Sequence, residues 1–187
     1  MSAALDAETR DRLIAALPRL RRFCRGLVGR ADEADDLAQA VCERALRHIG
    51  QWHRDTAMEP WLFRIARTVW IDRLRALRVR LVHANETRHS GMRAETDGGE
   101  AHAVDRLSLA EVDRAMRALP PEQREVIVLV TIEQFSYAEA AALLEVPVGT
   151  IMSRLSRGRM ALRRLAGVAA AGEPPAPDTA GNAGCAP

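Results

Sequence analysis

An all-α fold is predicted by three features of the sequence. Apolar residues recur at helical spacing along nearly the whole chain, β-branched runs bounded by turn residues are almost absent, and aromatics make up 4% of the 187 residues. A hydrophobic content of 48% is enough to build folded cores. At about 100–200 residues per domain, the length fits one large domain or two small ones.

The first helix is read from Leu13, Ile14, Leu17, Leu20, Phe23, Cys24 and Leu27. Pro18 implies a kink or a new start within it, and Gly26 to Gly29 end it. A second helix runs from about Asp32 to His48, with acids in its first turn matching the helix dipole and Leu37, Val41, Ala45 and Leu46 on its inner side. Gly50 closes it. A third begins near Pro60, a favoured first-turn residue, and continues to about Val82.

From His83 to Asp105 the apolar period disappears, glycines enter, and Glu86, Glu95, Asp97, Glu100 and Asp105 outnumber Arg88 and Arg93. This composition predicts a flexible, mildly acidic linker. Ser108 and Glu111 have capping-box spacing and open a helix that ends before Pro120-Pro121, and another helix follows to about Gln134. Ser136 and Glu139 form a second capping-box match, opening a short helix through Leu144; a final helix starts after Pro147 and runs to about Ala166. The proline-bearing tail is too poor in large apolar residues to pack. The expected division is a helical domain over 10–82, a linker over 83–105, a second helical domain over 106–168 and a disordered tail over 169–187.

Twenty-seven basic and 25 acidic residues give a net charge of +2, so bulk charge alone announces no polyanionic partner. All of the basic residues are arginines, which with the abundant alanine fits a GC-rich coding bias. Cys24, Cys42 and Cys185 are far apart, with no CxxC pair or nearby histidine set, so no disulfide framework, metal site or cofactor is expected. No apolar run approaches the roughly 18 residues of a membrane span, and acids near the N-terminus argue against a signal peptide. A soluble, cytoplasmic protein without membrane insertion is expected.

The charges are arranged, however. At 100° per residue, Arg64, Arg67, Arg75 and Arg78 fall within an arc of about 80° on the third helix, opposite Leu62, Ile65, Ala66, Val69, Trp70 and Leu77. Arginine binds phosphate through a fork of donors, and only Asp72 interrupts the stripe, so a polyanion suits it better than plain solvation. The final helix repeats the pattern, with Ile151, Leu155, Leu162 and Leu165 on one side and arginines and serines around the rest. The segment Phe135 to Val148 has the size of the first helix and turn of a helix-turn-helix, which would lay the final helix in a DNA major groove. Gly149, Thr150, Ser153, Arg154 and Arg157 are then the contact candidates, although a plain helical hairpin gives the same apolar pattern. The acidic second helix suits a basic or polar protein partner, or simply solvent.

Taken together, these segments resemble a known family. Asp35 to Leu46 (DDLAQAVCERAL), Trp61 to Arg75 (WLFRIARTVWIDRLR), Leu119 to Val126 (LPPEQREV), Phe135-Ser136-Tyr137 and Val148 to Leu155 (VGTIMSRL) are similar, in order, to the extracytoplasmic-function sigma factors of bacterial RNA polymerase. The resemblance implies that the first domain is sigma region 2, with Asp35, Asp36, Gln39 and Glu43 docking on the clamp helices of the polymerase largest subunit. It implies minus-ten promoter contacts from Arg64, Arg67, Arg75 and Arg78, with Trp61 as a stacking candidate and Trp70 as core. The second domain is implied to be region 4, reading the minus-thirty-five element as duplex DNA. An anti-sigma factor that silences the protein is a further implied partner, and Phe135 to Ala141 is similar to the general-stress-response branch.

Four positions depart from the family pattern: Ala40, where an acid often follows glutamine; Thr68, where asparagine is usual; Glu145, where the turn often has glycine; and Met152, where lysine is common. Met152 removes a phosphate contact, and Glu145 is strained if its φ is positive. Three rival functions differ in class. An enzyme is disfavoured because the five histidines lie mainly at helix ends and in the linker, and no nucleophile-base pair or phosphate loop appears. A sigma-like decoy would be expected to lose the arginine stripes, and a dimeric helix-turn-helix regulator would need a dimerisation surface.

Overall fold

The computed structural model describes residues 6–86 and 109–165, all of them helical or in connecting turns. The predicted tail and most of the predicted linker, with Ser108, lie outside the described residues. Among the described residues seven α-helices follow in order: α1 (Ala7–Val28), α2 (Ala31–Arg47), α3 (Met58–Glu86), α4 (Leu109–Ala118), α5 (Pro121–Ile127), α6 (Tyr137–Leu144) and α7 (Val148–Leu165). A short 3-10 turn, Ile49–Gln51, follows α2, and a π-helical stretch, Val128–Ile132, extends α5.

Asp6 caps α1 by accepting from the Thr9 backbone N–H at 3.0 Å, and Gly29 ends it in the left-handed conformation, φ 79°. The helix is continuous through Pro18. Pro18 offers no N–H to the Ile14 carbonyl, and Ile14 lies on the exposed side of the helix instead of in the predicted core. Leu46 and Leu77 are likewise exposed, Leu46 at the end of α2 and Leu77 on the part of α3 that runs past Leu74, the last of its residues packed against the core. The third helix starts earlier than predicted and continues past Val82 to Glu86, taking in the first residues assigned to the linker.

Helices α1, α2 and α3 pack around Leu20, Phe23, Leu27, Leu37, Val41, Leu62, Phe63 and Trp70, all nearly inaccessible to water. Helices α5, α6 and α7 close around Val126, Leu129, Leu143, Leu144, Ile151 and Leu155. One apolar cluster runs through both halves. Phe23 stacks on Phe63 with centroids 4.2 Å apart, and Phe63 in turn meets Phe135 from the second half at 5.9 Å. Gly26 makes this approach possible, since a Cβ there would come within 2.8 Å of Val128 Cγ2.

Candidate nucleic-acid interface

Helix α2 buries Leu37, Ala38, Val41 and Ala45 and leaves Asp35, Asp36, Gln39 and Glu43 together on the opposite, exposed face. Gln39 donates to Glu43 at 3.2 Å, and Asp35 lies 3.7 Å from Arg21. Arg73 donates to the Asp36 carbonyl at 3.0 Å and ties α3 to the acidic helix.

On α3, Arg64, Arg75 and Arg78 are exposed and Arg67 is half-buried. Arg75 lies 3.6 Å from Asp72. Two of the four reach into the second half: Arg64 donates to the Ala142 carbonyl at 3.3 Å, and Arg67 Nε donates to Glu125 Oε2 at 2.9 Å. Trp61 is half-buried against the core and does not stand free, and Trp70 is 2% exposed. A cleft of about 320 Å³ runs along the junction, its charged lining supplied by Arg67, Asp72, Arg75, Glu122, Glu125 and Arg154.

The turn that presents α7 is built from local chemistry. Ser136 accepts from the Glu139 backbone N–H at 3.2 Å while the Glu139 carboxylate accepts from the Ser136 backbone at 2.8 Å and its hydroxyl at 2.7 Å, completing the capping box. These bonds hold the Glu139 carboxyl below its usual range. Glu145 ends α6 in the left-handed region, φ 57° and ψ 45°, where a side chain is sterically opposed. The Val146 N–H bonds to the Ala141 carbonyl at 3.1 Å, and α7 then leaves with Gly149, Ser153 and Arg157 exposed. Thr150 is half-buried; Ser153 donates to its carbonyl at 3.1 Å, and Arg157 Nε donates to the Ser153 carbonyl at 3.2 Å. Arg154 turns inward, 3.7 Å from Glu125.

Three buried charges organise the junction, and the sequence reading singled out none of them. The Glu125 side chain, 3% exposed, faces Arg67 and Arg154. Burial pushes its carboxyl upward against the pull of both arginines. Glu133, with a fully buried side chain, is gripped by Arg19 at 3.1 Å and Arg22 at 2.8 Å from α1. Arg124 donates to the Leu27 carbonyl of α1 at 2.7 Å, to the Leu119 carbonyl at 3.1 Å and to the Arg117 carbonyl. The available signal was an acid or arginine inside or beside an apolar run, as in Arg124-Glu125-Val126 and Ile132-Glu133.

Burial pushes the Cys24 thiol up to about 12 and raises that of Cys42 as well. Among the described residues, no group of His, Cys, Asp or Glu assembles that could hold a metal. No helix among them is long and apolar enough to cross a membrane.

An exposed acidic helix face, an arginine-bearing helix and a tight turn leading to a second arginine-rich helix fit the sigma-70 class of transcription proteins, which the comparisons with known proteins show. Residues 13–80 match sigma-70 region 2, and residues 109–162 match sigma-70 region 4. The ECF RNA polymerase sigma factor EcfG of Rhodopseudomonas palustris is 37% identical over 161 residues, 86% of each chain. SigW of Bacillus subtilis, also an ECF sigma factor, is 32% identical over 154 residues, covering 78% of this chain and 82% of its own. The sigma factor RpoE of Bartonella quintana, solved with the anti-sigma factor NepR, superimposes with a TM-score of 0.70 at 30% identity, over 87% of this chain and 99% of that one. The chain belongs to the extracytoplasmic-function sigma factors of RNA polymerase.

Proposed function

We propose that this protein binds core RNA polymerase and directs initiation at a promoter set of its own, catalysing nothing itself, and that it works in the cytoplasm. Residues 10–82 act as the first reading domain and 106–168 as the second. Asp35, Asp36, Gln39 and Glu43 meet the clamp helices of the largest subunit. Arg64, Arg67, Arg75 and Arg78, with the exposed part of Trp61, hold the minus-ten element, and Gly149, Thr150, Ser153, Arg154 and Arg157 read the minus-thirty-five element. The observation that carries this reading is the exposed run of Gly149, Ser153 and Arg157 along α7, immediately after the capped turn. Such a placement suits entry of a helix N-terminus into the major groove.

An anti-sigma partner is supported by the relative RpoE, which was solved bound to one. The arrangement described here is closed, with Arg64 and Arg67 of α3 bonded to the second half. Promoter binding therefore requires the halves to part, and a partner that favours the closed form would silence the protein.

Reconstituted transcription tests the reading: purified protein and sigma-free core polymerase on a genomic promoter library, with start sites mapped by sequencing. Discrete starts behind a shared pair of upstream elements are expected. Arg157→Ala should weaken use of the upstream element selectively, and joint replacement of Asp35 and Asp36 should weaken core binding. Stable core binding without starts would indicate a decoy, and no core binding would overturn the reading.

A further inference from the structure

Four arginines that the proposed function leaves unused come together where the turn between α1 and α2 faces α4. Arg25, Arg30, Arg114 and Arg117 line a cleft of about 310 Å³. The backbone builds it. Gly29 ends α1 in the left-handed conformation and α2 begins at Ala31, so Arg25 in the last turn of α1 and Arg30 just ahead of α2 supply one side of the cleft. Arg114 and Arg117, three residues apart on α4, supply the other. A Cβ at position 29 would come within 2.9 Å of Arg117 Cγ, so glycine is what lets α4 approach the turn.

The charges in the cleft do not balance. Asp113 pairs with Arg25 at 2.5 Å and Asp32 with Arg30 at 2.8 Å, and these two carboxylates against four guanidinium groups leave a net of two positive charges in the lining. Exposed Arg114 has no carboxylate within ion-pair reach among the described residues, and Arg117 donates to the Gly29 carbonyl over a long 3.4 Å. Like charges at this helical spacing repel each other, and the arginines facing them from the turn add to the cost. The N-terminus of α2, whose cap residue Arg30 gives no side-chain acceptor, contributes a positive dipole end.

We propose that this cleft is a binding site for a phosphate dianion, either free or as the terminal group of a small phosphoester. Guanidinium forks match the paired oxygens of a phosphate, and a phosphoester carries about −1.5 to −2 charges at pH 7, which the surplus in the lining neutralises. The volume lies at the lower end of small-molecule sites, which span about 300–1,000 Å³. None of the four arginines is assigned to promoter DNA or to polymerase, so the site stands independently of that reading. A phosphate held from both sides would also stabilise the folded chain by mass action.

Isothermal titration calorimetry on the full-length protein tests the site, with sodium phosphate and ribose 5-phosphate as probes at constant ionic strength. One saturable site per chain is expected. Arg30→Gln and Arg114→Gln, one from each side of the cleft and both at exposed positions, should each weaken binding about tenfold, roughly the worth of one charge-assisted bond. Arg10→Gln, at an exposed position of α1 outside the cleft, should leave binding unchanged. Phosphate should raise the melting temperature of the wild type more than that of Arg114→Gln. Tighter binding of ribose 5-phosphate would identify an ester as the ligand and equal binding would identify free phosphate, each supporting the site.

Absence of saturable binding would overturn the proposal. Equal weakening by all three substitutions would do the same, since it would reduce the effect to diffuse positive charge. Cleft variants that kept phosphate binding and lost affinity for duplex DNA would give the surface to nucleic acid instead. Should one cleft variant fail to fold, the other, on a separate helix, still decides the matter.

Discussion

The guanidinium of Arg124 lies over the ring of Trp70, 5.6 Å from its centroid, so that a cation from the second half is seated on an aromatic from the first. Burial lowers the pKa of this arginine, and nearby Arg117 lowers it further, yet its three carbonyl partners sit at the C-terminal ends of α1 and α4, where the helix dipole favours a cation. Arg124→Met would keep the volume and leave those carbonyls unanswered. A loss of about 3 kcal/mol in urea denaturation is expected, with the single unfolding transition resolving into two as the halves lose their tie. An unaltered single transition would contradict the role given to Arg124.

Glu145→Gly should stabilise the second half by about 1 kcal/mol, because glycine adopts the left-handed conformation observed there without steric cost. Thermal melting reads the change. An equal or lower melting temperature would mean that the Glu145 side chain contributes something the backbone angles do not reveal.

Ser136→Ala removes half of the capping box and should cost about 1 kcal/mol. The same change should let the Glu139 carboxyl return toward its usual value, because the Ser136 hydroxyl and backbone are what hold it down. A carboxyl with a lowered folded pKa contributes stability that is present above the ordinary glutamate range and lost as pH falls through the lowered value. An NMR titration of the Ser136 amide in wild type should therefore show its midpoint below that of an exposed glutamate.

Met152 is 47% exposed on α7, one residue before Ser153, and offers DNA no charge. Met152→Lys should tighten promoter binding at low salt and steepen the dependence of log K on log salt by about 0.9, the increment for one added phosphate contact. An unchanged slope would place residue 152 away from the DNA backbone.

The helices were legible because their apolar residues must line one side, and the capping box at Ser136 and Glu139 is a purely local device. Leu46, Leu77 and Ile14 were assigned to the wrong side because periodicity identifies a stripe but not the point where the neighbouring helix ends. The face of α2 was equally readable, being a cluster of acids within three turns. The junction was not. Glu133 meets Arg19 and Arg22 across 114 and 111 residues, and Glu125 meets Arg67 across 58. Nothing local distinguishes such a carboxylate from a solvated one except the apolar company it keeps. A stripe of arginines likewise reads the same whether it awaits DNA or is partly occupied from within, as Arg64 and Arg67 are.

The π-helical stretch at Val128–Ile132 adds one residue to what would otherwise be a regular turn, and one residue advances a helix by about 100°. Val128, at its start, is fixed against Gly26 of α1, whereas everything beyond Ile132 leads into the turn that presents α7. The stretch thus sets the rotational phase between the part of α5 packed against α1 and the chain that leads into α7. Losing a single residue there would keep the packing against α1 and turn the chain beyond it by about 100°, so that the face of α7 proposed to read the promoter would point elsewhere with every residue of α7 as it is.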